Sequence, residues 1–140
     1  MRFGRGLFAI ATVLAFVPVR SFAGVVKIIA NPSVSVSSVS SGDIQSVFLL
    51  DLDSLGGSHV EPVLVKGGTA HEAFLKAYLG KDDPALHAFY RGLMFSGRAS
   101  MPKFLETDAD VVAYVARTRG AIGYVSSGVS TPGVKVLSVK

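Results

Sequence analysis

Apolar positions along the chain change their period several times, and each change marks an element. Val25 to Ala30 (V-V-K-I-I-A) is a short β-branched run closed by Asn31-Pro32, which predicts a buried strand followed by a turn. Ser33 to Ser41 alternates serine with valine and fits either an extended edge or a loop into the next helix. Ser40-x-x-Asp43 resembles a capping box in which aspartate replaces the usual Glu or Gln. It opens a helix with Ile44, Val47 and Phe48 on one face, ending near Leu50. A polar loop over Asp51 to Glu61, holding Gly56-Gly57, leads to a strand at Val63 to Lys66 and a turn at Gly67-Gly68.

The second half is more helical. A helix starts at Thr69 and runs through Leu79, with Ala70, Phe74, Ala77 and Tyr78 as its buried stripe and Gly80 as its terminator. Asp83-Pro84 begins another, because a proline in the first turn gives up no intrahelical bond; Leu86, Phe89, Tyr90 and Leu93 form its core face. A loop through Ser96-Gly97-Arg98 and Pro102 reaches Thr107-x-x-Asp110, a second aspartate box, and a helix ending near Arg117 and closed by Gly120. Ile122 to Val125 and Val134 to Val139 read as strands separated by Gly-containing turns. Four strands and four helices in mixed order predict an α/β domain of two or three layers.

The first 23 residues have a different character. Arg2 and Arg5 precede an apolar run from Leu7 to Val19, and Ser21-Phe22-Ala23 is a small-x-small cleavage site before Gly24. The run is shorter than the roughly 20 residues a membrane-spanning helix needs. The reading is therefore a cleaved export signal over residues 1–23 and a single domain over residues 24–140, placed in the periplasm. Three of the fourteen Lys and Arg lie before Gly24, so eleven cations face ten carboxylates in the domain and no bulk positive charge is left to hold a nucleic acid. The chain has no cysteine, which excludes disulfides, thiolate metal sites and cysteine nucleophiles together.

Three pieces of the chain resemble, in order, the phosphate-binding periplasmic proteins of ABC transporters. They are the helix Ile44 to Leu49, the strand-turn-helix Pro62-Val63-x-Val65-Lys66-Gly67-Gly68-Thr69 with Ala73-Phe74, and the stretch Phe95 to Val125. The last contains Gly120-Ala121-Ile122-Gly123-Tyr124-Val125, the most family-like run. The resemblance implies a single lobe of a type II periplasmic-binding-protein-like fold, a mixed sheet flanked by helices. It also implies phosphate or another small oxyanion as ligand, and a link to an ABC-type phosphate transporter or to a sensor. In that family the turn reads Arg, a short spacer, then Ser-Gly-Thr; here Lys66 stands near the arginine, Gly68 either takes the serine's place or has absorbed a deletion, and Thr69 matches.

Candidate ligand-binding residues follow from chemistry as well as resemblance. Lys66, Gly67, Gly68 and Thr69 place a cation and converging backbone N–H groups at a helix start, which favours an anion. The competing reading is Thr69-x-x-Glu72 as a capping box that satisfies those donors internally. Ser96 and Arg98 form a second candidate, since a loop arginine can fork onto phosphate oxygens; Ser37, Ser38, Ser40 and Ser41 offer hydroxyls. Asp51-x-Asp53 lacks the later ligands of a calcium loop. His59, His71 and His87 show no paired metal spacing and read as ordinary surface histidines. No nucleophile elbow or phosphate loop occurs, so no catalytic residue, metal or cofactor is expected. One lobe leaves a ligand half wet, so a homodimer would be a means of closing over it. The alternative function is a ligand-free interaction module contacting an envelope or sensor protein.

Overall fold

A computed structural model of the chain describes residues 25–140, so the export signal expected over residues 1–23 lies outside the described residues. The strands are β1 (Val26–Ala30), β2 (Ser38–Val39), β3 (Ser54–Leu55), β4 (Ser58–His59), β5 (Glu61–Val65), β6 (Lys103–Leu105), β7 (Ala121–Ser126) and β8 (Lys135–Val139). The helices are α1 (Ser41–Phe48), α2 (Thr69–Phe74), α3 (Asp83–Phe95) and α4 (Asp108–Arg117), and α2 continues without a break into a π-helical turn, Leu75–Leu79.

Six strands form one mixed sheet in the order β2-β8-β1-β7-β5-β6. β1 pairs antiparallel with both neighbours, and every other pairing in the sheet is parallel. β2, β8, β7, β5 and β6 therefore all point the same way, and their carboxyl ends share one edge. In open α/β sheets this is the edge where ligands are held. α1, α2 and α4 each begin there, directly after β2, β5 and β6.

Four strands were anticipated and the described residues hold eight, because the extra ones are only two or three residues long. The polar loop after α1 folds as a small hairpin: Ser54↔His59 and Leu55↔Ser58 pair around Gly56 and Gly57, whose φ of 57° and 84° are the left-handed values a two-residue turn needs. Ser38–Val39, left open between edge and loop, pairs parallel with the end of β8. Ser40 caps α1 in a complete capping box with Asp43, as its spacing predicts. Thr107 caps α4 by accepting from the Asp110 N–H at 3.1 Å.

β7 forms the spine of the core. All of Ala121 to Val125 is buried, flanked by β1 and β5, and Phe74 stacks flat on Tyr124 with ring centroids 3.9 Å apart. Gly123 is the tight point: a Cβ there would stand 2.9 Å from Val111 Cγ1 and 3.3 Å from the Val63 carbonyl oxygen. In α3, Leu86 and Tyr90 are fully buried, Phe89 packs against the core only partly buried, and Leu93 is half-buried.

Candidate functional site

The turn between β5 and α2 lies at the shared carboxyl edge, with residues 66–69 all exposed. Its local structure corrects one expectation. Thr69 is the first helical residue and not the cap; the cap position falls on Gly68, at φ 103° and ψ 176°, and no side chain bonds to the open N–H groups. The Thr69-Glu72 capping box does not form, because the glycine's backbone conformation, closed to other residues, shifts the helix start by one position. The first turn of α2 thus presents backbone donors to solvent, while α1, α3 and α4 are capped by Ser40, Asp82 and Thr107.

Charge around this turn is mixed. Lys66 Nζ pairs with Glu106, both side chains being more than half exposed (56% and 69%), so the pair is weak and readily exchanged. Glu72 lines a hollow of about 630 Å³ between α2 and the start of α3, together with Leu75, Lys76, Lys81 and Asp83.

Ser96 and Arg98 do not join this site. β5 and β6 run parallel, with Val63↔Lys103 and Val65↔Leu105 in register, so the loop entering β6 lies at the opposite edge from the turn leaving β5. Arg98 borders a groove of about 720 Å³ with Glu61, Pro62, Lys103 and Tyr114, and the Ser96 hydroxyl donates to Leu93 O at 3.0 Å, closing α3. Of the serines after β1, Ser40 caps α1, and Ser41 Oγ donates to Lys140 O at 3.4 Å.

The sequence reading of the histidines fails for His71, which is 1% exposed. Its Nδ1 meets the Tyr124 hydroxyl, its Nε2 lies 2.6 Å from Asp83 Oδ1, and His87 Nε2 reaches that same carboxylate oxygen at 3.5 Å. Tyr124 also accepts the Val65 N–H at 3.4 Å. Burial pushes the Tyr124 hydroxyl well above the ordinary tyrosine value, because a phenolate would be desolvated. A signal for this network exists in the sequence: His71 lies beside Ala70 and Phe74 on the stripe predicted to be buried. Among the described residues no group of three or more His, Asp or Glu is arranged to hold a metal ion.

No family model matches the chain, and no curated protein matches it either. Solved structures do match, at low identity. A protein assigned as a phosphate ABC transporter substrate-binding protein from Clostridium perfringens, solved with phosphate bound, superposes with a TM-score of 0.66 at 16% identity. The match covers 82% of this chain and 44% of that one. An ABC-type phosphate transport receptor from Vibrio cholerae gives 0.63 at 15% identity over 82% and 46% of the two chains. PstS from Borrelia burgdorferi gives 0.59 at 10% identity over 83% and 47%. The chain therefore spans less than half the length of these structures and has the fold of a single lobe of a substrate-binding protein, a mixed sheet flanked by helices.

Proposed function

We propose that this chain is an exported, non-enzymatic solute-binding domain that holds phosphate or another small oxyanion at residues 66–69, in the service of a transporter or sensor in the periplasm. The observation that carries the reading is the uncapped start of α2: Gly67 and Gly68 leave backbone donors open beside Lys66, at the carboxyl edge of the parallel strands. An incoming dianion displaces Glu106 from Lys66 at small cost, since an exposed ion pair is worth about 0–1 kcal/mol. Thr69 supplies the one hydroxyl at the turn. The likeness to phosphate-binding proteins supports the ligand class, and the Arg2/Arg5 run with Ser21-Phe22-Ala23 supports export. Ser96 and Arg98, at the far edge, take no part.

With one lobe, a face of the ligand stays in water and the field of Lys66 is screened, so binding is weak unless a second copy of the domain closes over the turn. Linkage then requires phosphate to favour the dimer. The test is calorimetric titration of protein from the periplasmic fraction, whose mass is expected to put the N-terminus at Gly24, with phosphate and with sulfate. Binding that weakens in Lys66→Ala and Thr69→Ala is the expected result; unchanged binding in both variants sinks the site.

A second reading, an interaction module without a ligand, is favoured by the opposite edge. Phe95 is 90% exposed at the end of α3, with Met94 and Met101 also open. Phe, Met and Arg are the residues enriched at protein interfaces, and Arg98 lies in the same loop. Silence of the wild-type protein toward both anions at millimolar concentration gives this reading the field.

A further inference from the structure

The turn at residues 66–69 is fastened on both sides to a single oxygen. Val65, the last residue of β5, donates its N–H to the Tyr124 hydroxyl, and His71, in the first turn of α2, meets the same hydroxyl through Nδ1. The directions follow from the carboxylate end. Asp83 Oδ1 can only accept, so His71 Nε2 donates to it at 2.6 Å; with the ring's single proton there, Nδ1 accepts from the Tyr124 hydroxyl, whose oxygen accepts the Val65 N–H. The chain of bonds runs from β5 through β7 and α2 to the first residue of α3. Every buried side-chain polar atom on it has a partner.

We infer that the Tyr124 hydroxyl, oriented by His71 and Asp83, is the positioning group of the oxyanion turn: it fixes the relation between the end of β5 and the start of α2, and hence the direction in which the Gly67 and Gly68 amides point. The inference rests on the oxyanion reading above. Two features separate this role from general packing. The ring is held independently of its hydroxyl by the stack on Phe74 at 3.9 Å and by Phe48 at 5.9 Å, so the fold does not need the oxygen. The two anchors, Val65 and His71, also bracket the turn and nothing else.

The experiment is a sulfate and phosphate titration of the whole chain, followed by calorimetry and by the amide resonances of Gly67 and Gly68. Tyr124→Phe is expected to weaken binding about five- to tenfold, the scale of one hydrogen bond, and to shift both glycine amides before any ligand is added. His71 allows a stricter comparison. His71→Asn keeps an acceptor where Nδ1 stood and should bind nearly as the wild type does. His71→Gln keeps only the group that reaches Asp83 and should lose as much as Tyr124→Phe. A merely structural histidine would make the two amides equivalent. Wild-type binding with Tyr124→Phe within twofold of it, or with Gln as good as Asn, overturns this inference alone. No binding by the wild type overturns the oxyanion reading and this inference with it.

Discussion

Two strand-to-helix turns sit side by side at the carboxyl edge of the sheet, and they treat the start of a helix in opposite ways. After β6, Thr107 caps α4, and the first turn carries Asp108 and Asp110, which complement the positive end of the helix dipole. Asp108 Oδ2 also accepts the Ser126 N–H at 3.1 Å, tying the turn to the end of β7. After β5, Gly68 takes the cap position with no side chain to offer, and Lys66 adds positive charge. The first turn answers its own donors and repels an anion; the second leaves its donors unanswered. The Lys66–Glu106 pair joins the two, so the closed turn supplies the carboxylate that occupies the open one's cation. Topology alone therefore does not leave a turn open. What differs is which residue falls on the cap.

The open turn is footed on a phenolic hydroxyl and the closed one on the Asp108 carboxylate, so alkali separates them, with the largest expected effect. Burial raises the pKa of both Tyr124 and Tyr90 above the ordinary 10.0; the Tyr90 hydroxyl donates to Phe48 O at 2.6 Å. Raised folded values mean that these two groups add their full stability below pH 10. Above it the unfolded chain releases phenolic protons that the folded chain keeps, so stability falls, by about 1.4 kcal/mol per pH unit for each tyrosine. Denaturant unfolding from about pH 9 upward should show this slope develop as pH passes 10, and Tyr124→Phe should remove one tyrosine's share of it, Tyr78 and Tyr114 being raised by burial as well. A slope unchanged in that variant would mean that the phenol under the open turn is not the group being titrated.

Both turns share one wall, which supplies the next effect. Gly123 lies between Val63 of β5 and Val111 and Val115 of α4, with room for no Cβ. Gly123→Val should cost about 1–3 kcal/mol by overpacking, read as a lowered melting temperature. An unchanged melting temperature would show that β5 and α4 can part without penalty, and with that the rigid frame common to the two turns would be lost.

The comparison also shows what the sequence could and could not disclose. Thr107-x-x-Asp110 and Thr69-x-x-Glu72 are the same pattern, yet only the first is a cap. The frame is set by Gly68, whose conformation depends on how β5 delivers the chain, and residue spacing does not carry that information. The long periodic elements were legible because their burial repeats: α1, α3, α4, β1, β5 and β7 all lie close to where their apolar residues place them. Strands of two or three residues, such as β2, β3, β4 and β6, have no period to read and exist through their partners. For His71 the helical stripe signals burial, but its partners lie on other elements: Tyr124, 53 positions away, and Asp83 on the next helix, a relation that single-residue spacing does not express. The Lys66–Thr69 turn stood out by composition, but its openness did not, since that required knowing where the helix begins.

The smallest effect is the most direct test of the difference between the turns, because it compares one residue type at two helix starts. Thr107→Ala removes an oxygen that satisfies the Asp110 N–H and should cost about 1 kcal/mol, the usual loss for a threonine cap. Thr69→Ala removes a hydroxyl that caps nothing, at an exposed first helical position where alanine is the better helix former, so its stability change should stay within about 0.5 kcal/mol. Denaturant unfolding of the two variants at neutral pH measures the pair. Equal losses would mean that Thr69 caps α2 in solution, closing the open turn by the same device as its neighbour. A loss confined to Thr107→Ala leaves Thr69 free of any structural duty, so that weaker oxyanion binding by Thr69→Ala would report contact with the ligand and not a damaged helix.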